Sequence, residues 1–127
     1  MMSDWNLVRL ELAKTPEFPE GSASRAYMLR VPLDINGLID DAELASEPNM
    51  ATVRRFWPNE PDQTGHIARN SRGWLLSCAI GDDDEPMSYH LELQPLHVGG
   101  YVHLTGPDGI ALPFRVVRRQ LNGLTGP

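Results

Sequence analysis

The stretch Tyr101-Val102-His103-Leu104-Thr105-Gly106-Pro107-Asp108-Gly109-Ile110-Ala111-Leu112-Pro113-Phe114-Arg115-Val116 decides how the chain folds. Apolar residues alternate with others on both sides of a Gly-Pro-Asp-Gly block, and a period of two belongs to strands with one buried face. Gly106-Pro107-Asp108-Gly109 suits a type I turn closed by a bulge at Gly109, where a positive φ carries no steric cost for glycine. That turn sets the register, placing Leu104 opposite Leu112 and Val102 opposite Phe114. A slip of one residue would turn every apolar side chain to the wrong face. Turn chemistry and hydrophobic pattern therefore specify the same antiparallel hairpin.

The same alternation spreads outward from this hairpin. It recurs in Val8-Arg9-Leu10-Glu11-Leu12, in Tyr27 to Leu33, in the stripe Trp74, Leu76, Cys78 and Ile80, and in Tyr89, Leu91 and Leu93. Thr52 to Trp57 and His66 to Arg69 are weaker strand candidates. A four-residue loop Asn70-Ser71-Arg72-Gly73 puts Ile67 opposite Leu76. The strand from Tyr89 meets the one from Tyr101 across Pro95 to Gly100, which aligns Leu91 with Leu104 and Glu92 with His103. The segment Asp40-Asp41-Ala42-Glu43-Leu44-Ala45 reads as one short helix near 40–46, with Asp40 able to cap it, Glu43 able to reach back and Pro48 ending it. Thr15 to Ser24 and Asn59 to Gly65, rich in Pro, Glu and Gly, read as surface loops.

These elements predict a mainly β fold, a small antiparallel barrel or sandwich of seven to eight short strands with a meander in the C-terminal half. A barrel is preferred because closure satisfies strand edges. The connection from Leu33 to Thr52 is too long to dictate which strands are neighbours, so the order in the N-terminal third stays open. At 127 residues the chain has the usual size of one domain. Residues 1–121 are expected to form it, with 122–127 as a flexible tail.

Composition narrows function by exclusion. The opening residues Met1-Met2-Ser3-Asp4-Trp5 lack a basic-then-apolar leader and no apolar run is long enough to span a bilayer, so a cytoplasmic protein without a membrane partner is expected. The one cysteine, Cys78, sits in an apolar stripe and reads as a buried, inert thiol with no second thiol for a disulfide or zinc knuckle. The formal net charge of −6 argues against general attraction to nucleic acid. Of the 11 basic residues all but Lys14 are arginine. No G-x-S-x-G elbow, Walker loop, dinucleotide-binding glycine pattern or metalloprotease helix occurs.

Three constellations remain. Arg54 and Arg55 beside Phe56 and Trp57 combine the residue types that dominate binding hot spots, and Trp57 precedes a proline where an anchor or lid residue could stand. Arginines with aromatics on a small barrel are also what single-strand nucleic-acid binders use, which makes Arg54, Arg55 and Trp57 candidates for that role. Secondly, alternation puts His90, Glu92 and His103 on one face, and two imidazoles with a carboxylate are a minimal set for zinc or iron or for acid-base chemistry. That face is nevertheless the outer one.

Thirdly, Asp34, Asn36, Gly37, Ile39 and Glu43 fall at the third, fifth, sixth, eighth and twelfth places of a calcium loop, so that the segment resembles the later part of an EF-hand loop. The resemblance implies a calcium site using Asp34, Asn36, Asp40 and Glu43. Pro32 occupies the first place, where the motif wants an oxygen ligand, and a simple Asn36-Gly37 turn followed by a capped helix accounts for the same residues. The chain is thus expected to be a non-enzymatic binding or interaction module needing no cofactor, with an unidentified protein or small molecule as partner. The alternatives are a small barrel enzyme built on His90, Glu92 and His103, a nucleic-acid binder, or an assembly subunit in which an edge strand pairs with a second copy.

Overall fold

The computed structural model describes residues 3–81 and 83–121. It contains β1 (Asp4–Leu12), β2 (Ser22–Leu33), α1 (Asp41–Ser46), a 3-10 turn (Pro48–Met50), β3 (Thr52–Phe56), β4 (Gln63–Asn70), β5 (Gly73–Ala79), β6 (Met87–Glu92), β7 (Tyr101–Thr105) and β8 (Ala111–Leu121). Each strand pairs antiparallel with the next, and β8 returns to pair with β1, closing an eight-stranded barrel. This settles barrel against sandwich and fixes the order of the first strands. It also leaves no terminal edge strand, so the expected edge pairing with a second copy has no edge to use.

The deciding hairpin forms in the expected register, with Leu104 opposite Leu112 and Val102 opposite Phe114. Gly109 takes φ +80. Ile67 lies opposite Leu76 and Leu91 opposite Leu104. Register shifts between Glu11 and Leu12 against β2, and between Arg9 and Leu10 against β8, bend β1 where the ring closes.

Inward side chains from all eight strands fill the lumen, among them Leu10, Leu29, Val53, Ile67, Leu76, Leu91, Val102 and Phe114. A barrel of this strand number is just wide enough for side chains to occupy. Each fully buried large residue contributes about 1.5–3 kcal/mol. The apolar stripes run further in sequence than the core does in space. Ile80, Leu93 and Ile110 lie past the last ladder pairs and are exposed. Two loop expectations are also corrected, since Ser22–Ser24 and Gln63–Gly65 are strand. Their polar composition suits rim positions, where one face meets water. The expected tail, 122–127, lies outside the described residues.

An up-and-down ring sends alternate connections to opposite ends. At one end, the 34–51 connection with α1 packs Ile39 and Leu44 onto the core, and Leu96 from the β6–β7 connection joins it by donating its N–H to Gly37 O at 2.8 Å. Asp40 caps α1 by accepting from Glu43 N at 3.1 Å. Trp5 packs partly buried against the core and donates from Nε1 to Glu43 Oε2 at 3.3 Å. At the other end stand the connections carrying Phe18 and Trp57 together with the tight turn at Gly106. No helix of the described residues is long and apolar enough to cross a membrane.

Candidate functional site

Strand alternation splits the Arg54-Arg55-Phe56-Trp57 segment. Arg54 and Phe56 point outward, and the Arg54 guanidinium carbon lies 5.4 Å from the Phe56 ring centroid. Arg55 points into the barrel and Trp57 turns over its mouth, so the four residues do not make one surface. A continuous nucleic-acid track through Arg54, Arg55 and Trp57 is not formed for the same reason.

Inside the mouth, Arg55 donates from Nε to the Tyr27 hydroxyl at 3.2 Å and from Nη1 to Glu60 Oε1 at 3.2 Å. Its guanidinium carbon sits 4.1 Å from the Trp57 centroid and 5.2 Å from that of Tyr89. Burial opposes its charge, and the Tyr27, Tyr89 and Glu60 oxygens outweigh that penalty. Burial pushes the Tyr27 and Tyr89 phenols above the ordinary tyrosine range. Phe114 meets Tyr27 edge-on at 5.2 Å between centroids. These contacts make the mouth a packed plug, with one arginine fixed among aromatic rings.

The outer wall is different. Register aligns two rows across β1 to β5: Leu7, Arg30, Thr52, His66 and Ser77, and beside it Arg9, Met28, Arg54, Thr64 and Ala79. The centre carries short side chains over the backbone of Val53 and Gly65, while Gly81, Asp84 and Pro86 of the β5–β6 connection stand as a wall. The resulting groove has a volume of about 600 Å³, within the range of small-molecule sites. Arg30, Arg54 and His66 line it. Arg54 pairs with Asp62 at 3.6 Å, and both side chains are largely exposed. Arg30 differs, because its Nε is buried without a hydrogen-bond partner and no acidic side chain among the described residues pairs with it.

The histidine constellation resolves into a pair. Glu92 Oε2 accepts from the His103 backbone N–H at 2.7 Å and lies 3.1 Å from His103 Nδ1. The β6–β7 ladder is short, comprising His90 with Thr105 and Leu91 with Leu104, so the Glu92 carboxylate supplies the His103 amide with the acceptor that the strand itself does not. His90 stands apart beside Gly73, with Nδ1 buried and unpartnered. The calcium candidates are engaged in local structure. Asp34 Oδ1 accepts from the N–H groups of Asn36 and Leu38, and Asp40 Oδ2 accepts from Ser3 Oγ at 2.6 Å. The Ser3 hydroxyl, with the Glu43 N–H, holds the Asp40 carboxyl below its usual range. Glu43 faces Trp5. Among the described residues no three His, Cys, Asp or Glu side chains converge to hold a metal.

Cys78 is fully buried in the core. Burial raises its thiol to about 11, which removes the thiolate needed for nucleophilic chemistry.

Sequence reading missed Arg30, Met28, Thr52 and His66 as neighbours of Arg54. Alternation alone turns each of them outward. What was lacking was the β2–β3 register, which the long 34–51 connection conceals. No family model, curated protein or solved structure matches the chain.

Proposed function

We propose that the protein is a non-enzymatic binding module that holds a small anionic ligand, carrying a phosphate or carboxylate group, in the outer groove across β2, β3 and β4. The observation that carries this reading is Arg30, a guanidinium lining a groove of ligand size with a buried Nε that has no hydrogen-bond partner among the described residues. A buried donor left unpaired is costly, and a guanidinium that turns its Nε into the groove would satisfy it with a charge-assisted bond to an anion. Arg54 and His66 flank the same concavity, and Leu7 and Met28 offer apolar surface for the rest of the ligand. The pairing of Arg54 with Asp62 is weak enough to yield, because exposed ion pairs are worth about 0–1 kcal/mol.

Pyrophosphate is a suitable probe. Titrated into isotopically labelled protein at low salt, it should shift the amide signals of Arg30, Thr52, Arg54 and His66. Arg30→Gln should bind about tenfold more weakly, the loss expected for one charge-assisted hydrogen bond. Equal affinity in wild type and Arg30→Gln, or shifts confined to other residues, would overturn the reading.

A further inference from the structure

A second concavity lies at the plugged mouth of the barrel, beside Trp57. Leu12, Phe18, Trp57 and Leu112 form its apolar walls, and its volume is about 170 Å³. Arg25 and Glu17 stand on its rim. The Arg25 guanidinium carbon is 4.1 Å from the Phe18 centroid and 5.8 Å from that of Trp57, and its Nη1 donates to Ser22 Oγ at 3.1 Å. No carboxylate among the described residues pairs with it. Arg55, which also approaches Trp57, by contrast already has Glu60. Two arginines therefore approach one indole, and Arg25 has no carboxylate partner among the described residues.

The first turn of the β1–β2 connection holds this geometry in place. Thr15 Oγ1 accepts from Phe18 N at 2.9 Å, and Thr15 N donates to Phe18 O at 2.9 Å. Phe18 is thus presented to the cleft by a closed local ring of hydrogen bonds and packs partly buried against the core. A guanidinium without a carboxylate partner among the described residues, stacked on a fixed Phe18 ring beside the apolar walls of Trp57, Leu12 and Leu112, favours a ligand with a planar apolar body and one anionic group.

We propose that this cleft is a second binding site, taking a small aromatic carboxylate with its ring against Trp57, Leu12 and Leu112 and its carboxylate on Arg25. The volume sets the ligand at about ten heavy atoms, well below the size that the outer groove admits. The two sites lie on different faces and use different arginines.

Phenylacetate and its neutral counterpart phenylacetamide test the assignment. With wild-type protein, phenylacetate should shift the indole N–H signal of Trp57 and the amide signals of Phe18 and Arg25, and should bind at least fivefold more tightly than phenylacetamide. Arg25→Gln should erase that preference while leaving phenylacetamide affinity unchanged, and Arg25→Lys should keep part of it. Arg30→Gln should bind phenylacetate as wild type does, and Arg25→Gln should bind pyrophosphate as wild type does, which separates this site from the groove. No shift at Trp57, an undiminished preference in Arg25→Gln, or loss of phenylacetate binding in Arg30→Gln instead would overturn the proposal.

Discussion

Tyr27 and Arg55 are direct cross-strand partners on β2 and β3, and both face inward, so that Arg55 Nε reaches the Tyr27 hydroxyl at 3.2 Å within the barrel mouth. The bond holds the guanidinium carbon 4.1 Å from the Trp57 ring centroid and 5.2 Å from that of Tyr89.

Removing the hydroxyl with Tyr27→Phe should lower stability by about 1 kcal/mol, the net worth of a hydrogen bond to a charged group less its replacement by packing. Arg55→Ala should cost about 2–4 kcal/mol, because it also empties the space between two rings. Arg55→Lys should recover little, since an ammonium cannot stack as the planar guanidinium does. Urea unfolding of the single and double variants would measure the coupling. A Tyr27 and Arg55 pair whose effects simply add would contradict this account.

Glycines at two positions should respond differently to alanine. A Cβ at Gly65 would run into the carbonyl oxygen of Ser77 on the paired strand, so Gly65→Ala should destabilise by more than about 2 kcal/mol through forced separation of β4 and β5. At Gly109 nothing lies within 4 Å of the added carbon, and only the positive φ of +80 opposes it. Gly109→Ala should therefore cost about 1–2 kcal/mol. Thermal melts would rank the two.

Asp40 joins the N-terminus of α1 to Ser3 beside β1. Because its folded pKa is depressed, chiefly by the Ser3 hydroxyl, its contribution is present above the ordinary aspartate value and is lost as pH falls through the lower folded value. Asp40→Ala should cost about 1 kcal/mol at neutral pH through loss of the cap, and Asp40→Asn should lose less because asparagine also caps well. The wild-type advantage over Asp40→Asn should shrink as the pH is taken below the usual carboxylate range. An advantage that stays constant down to full protonation would show that the charge contributes nothing.

Cys78 should resist alkylation by iodoacetamide at pH 8 in the native state and react once the protein is unfolded. Its thiol is fully buried and raised to about 11 by that burial, so almost no thiolate exists to attack. Rapid native labelling would mean that the barrel opens locally far more often than its packed lumen implies.

The β character of the chain, the register of the 101–116 hairpin, the inward stripes and the capped helix at Asp40 are all legible in the order of the residues. Those features are local: a turn type, a two-residue period and a cap each act over a few residues, so neighbouring side chains carry the whole signal. Closure of β8 onto β1, the assembly of Leu7, Arg30, Thr52 and His66 into one row, and the approach of Phe18 to Arg25 and Trp57 were decided only in three dimensions. They join residues separated by long connections, whose closure constrains adjacency weakly. The same distinction divides Arg54 from Arg55. Adjacent in sequence and identical in chemistry, they are sent by one pleat of β3 to opposite sides of the wall, one to the groove and the other to the plug.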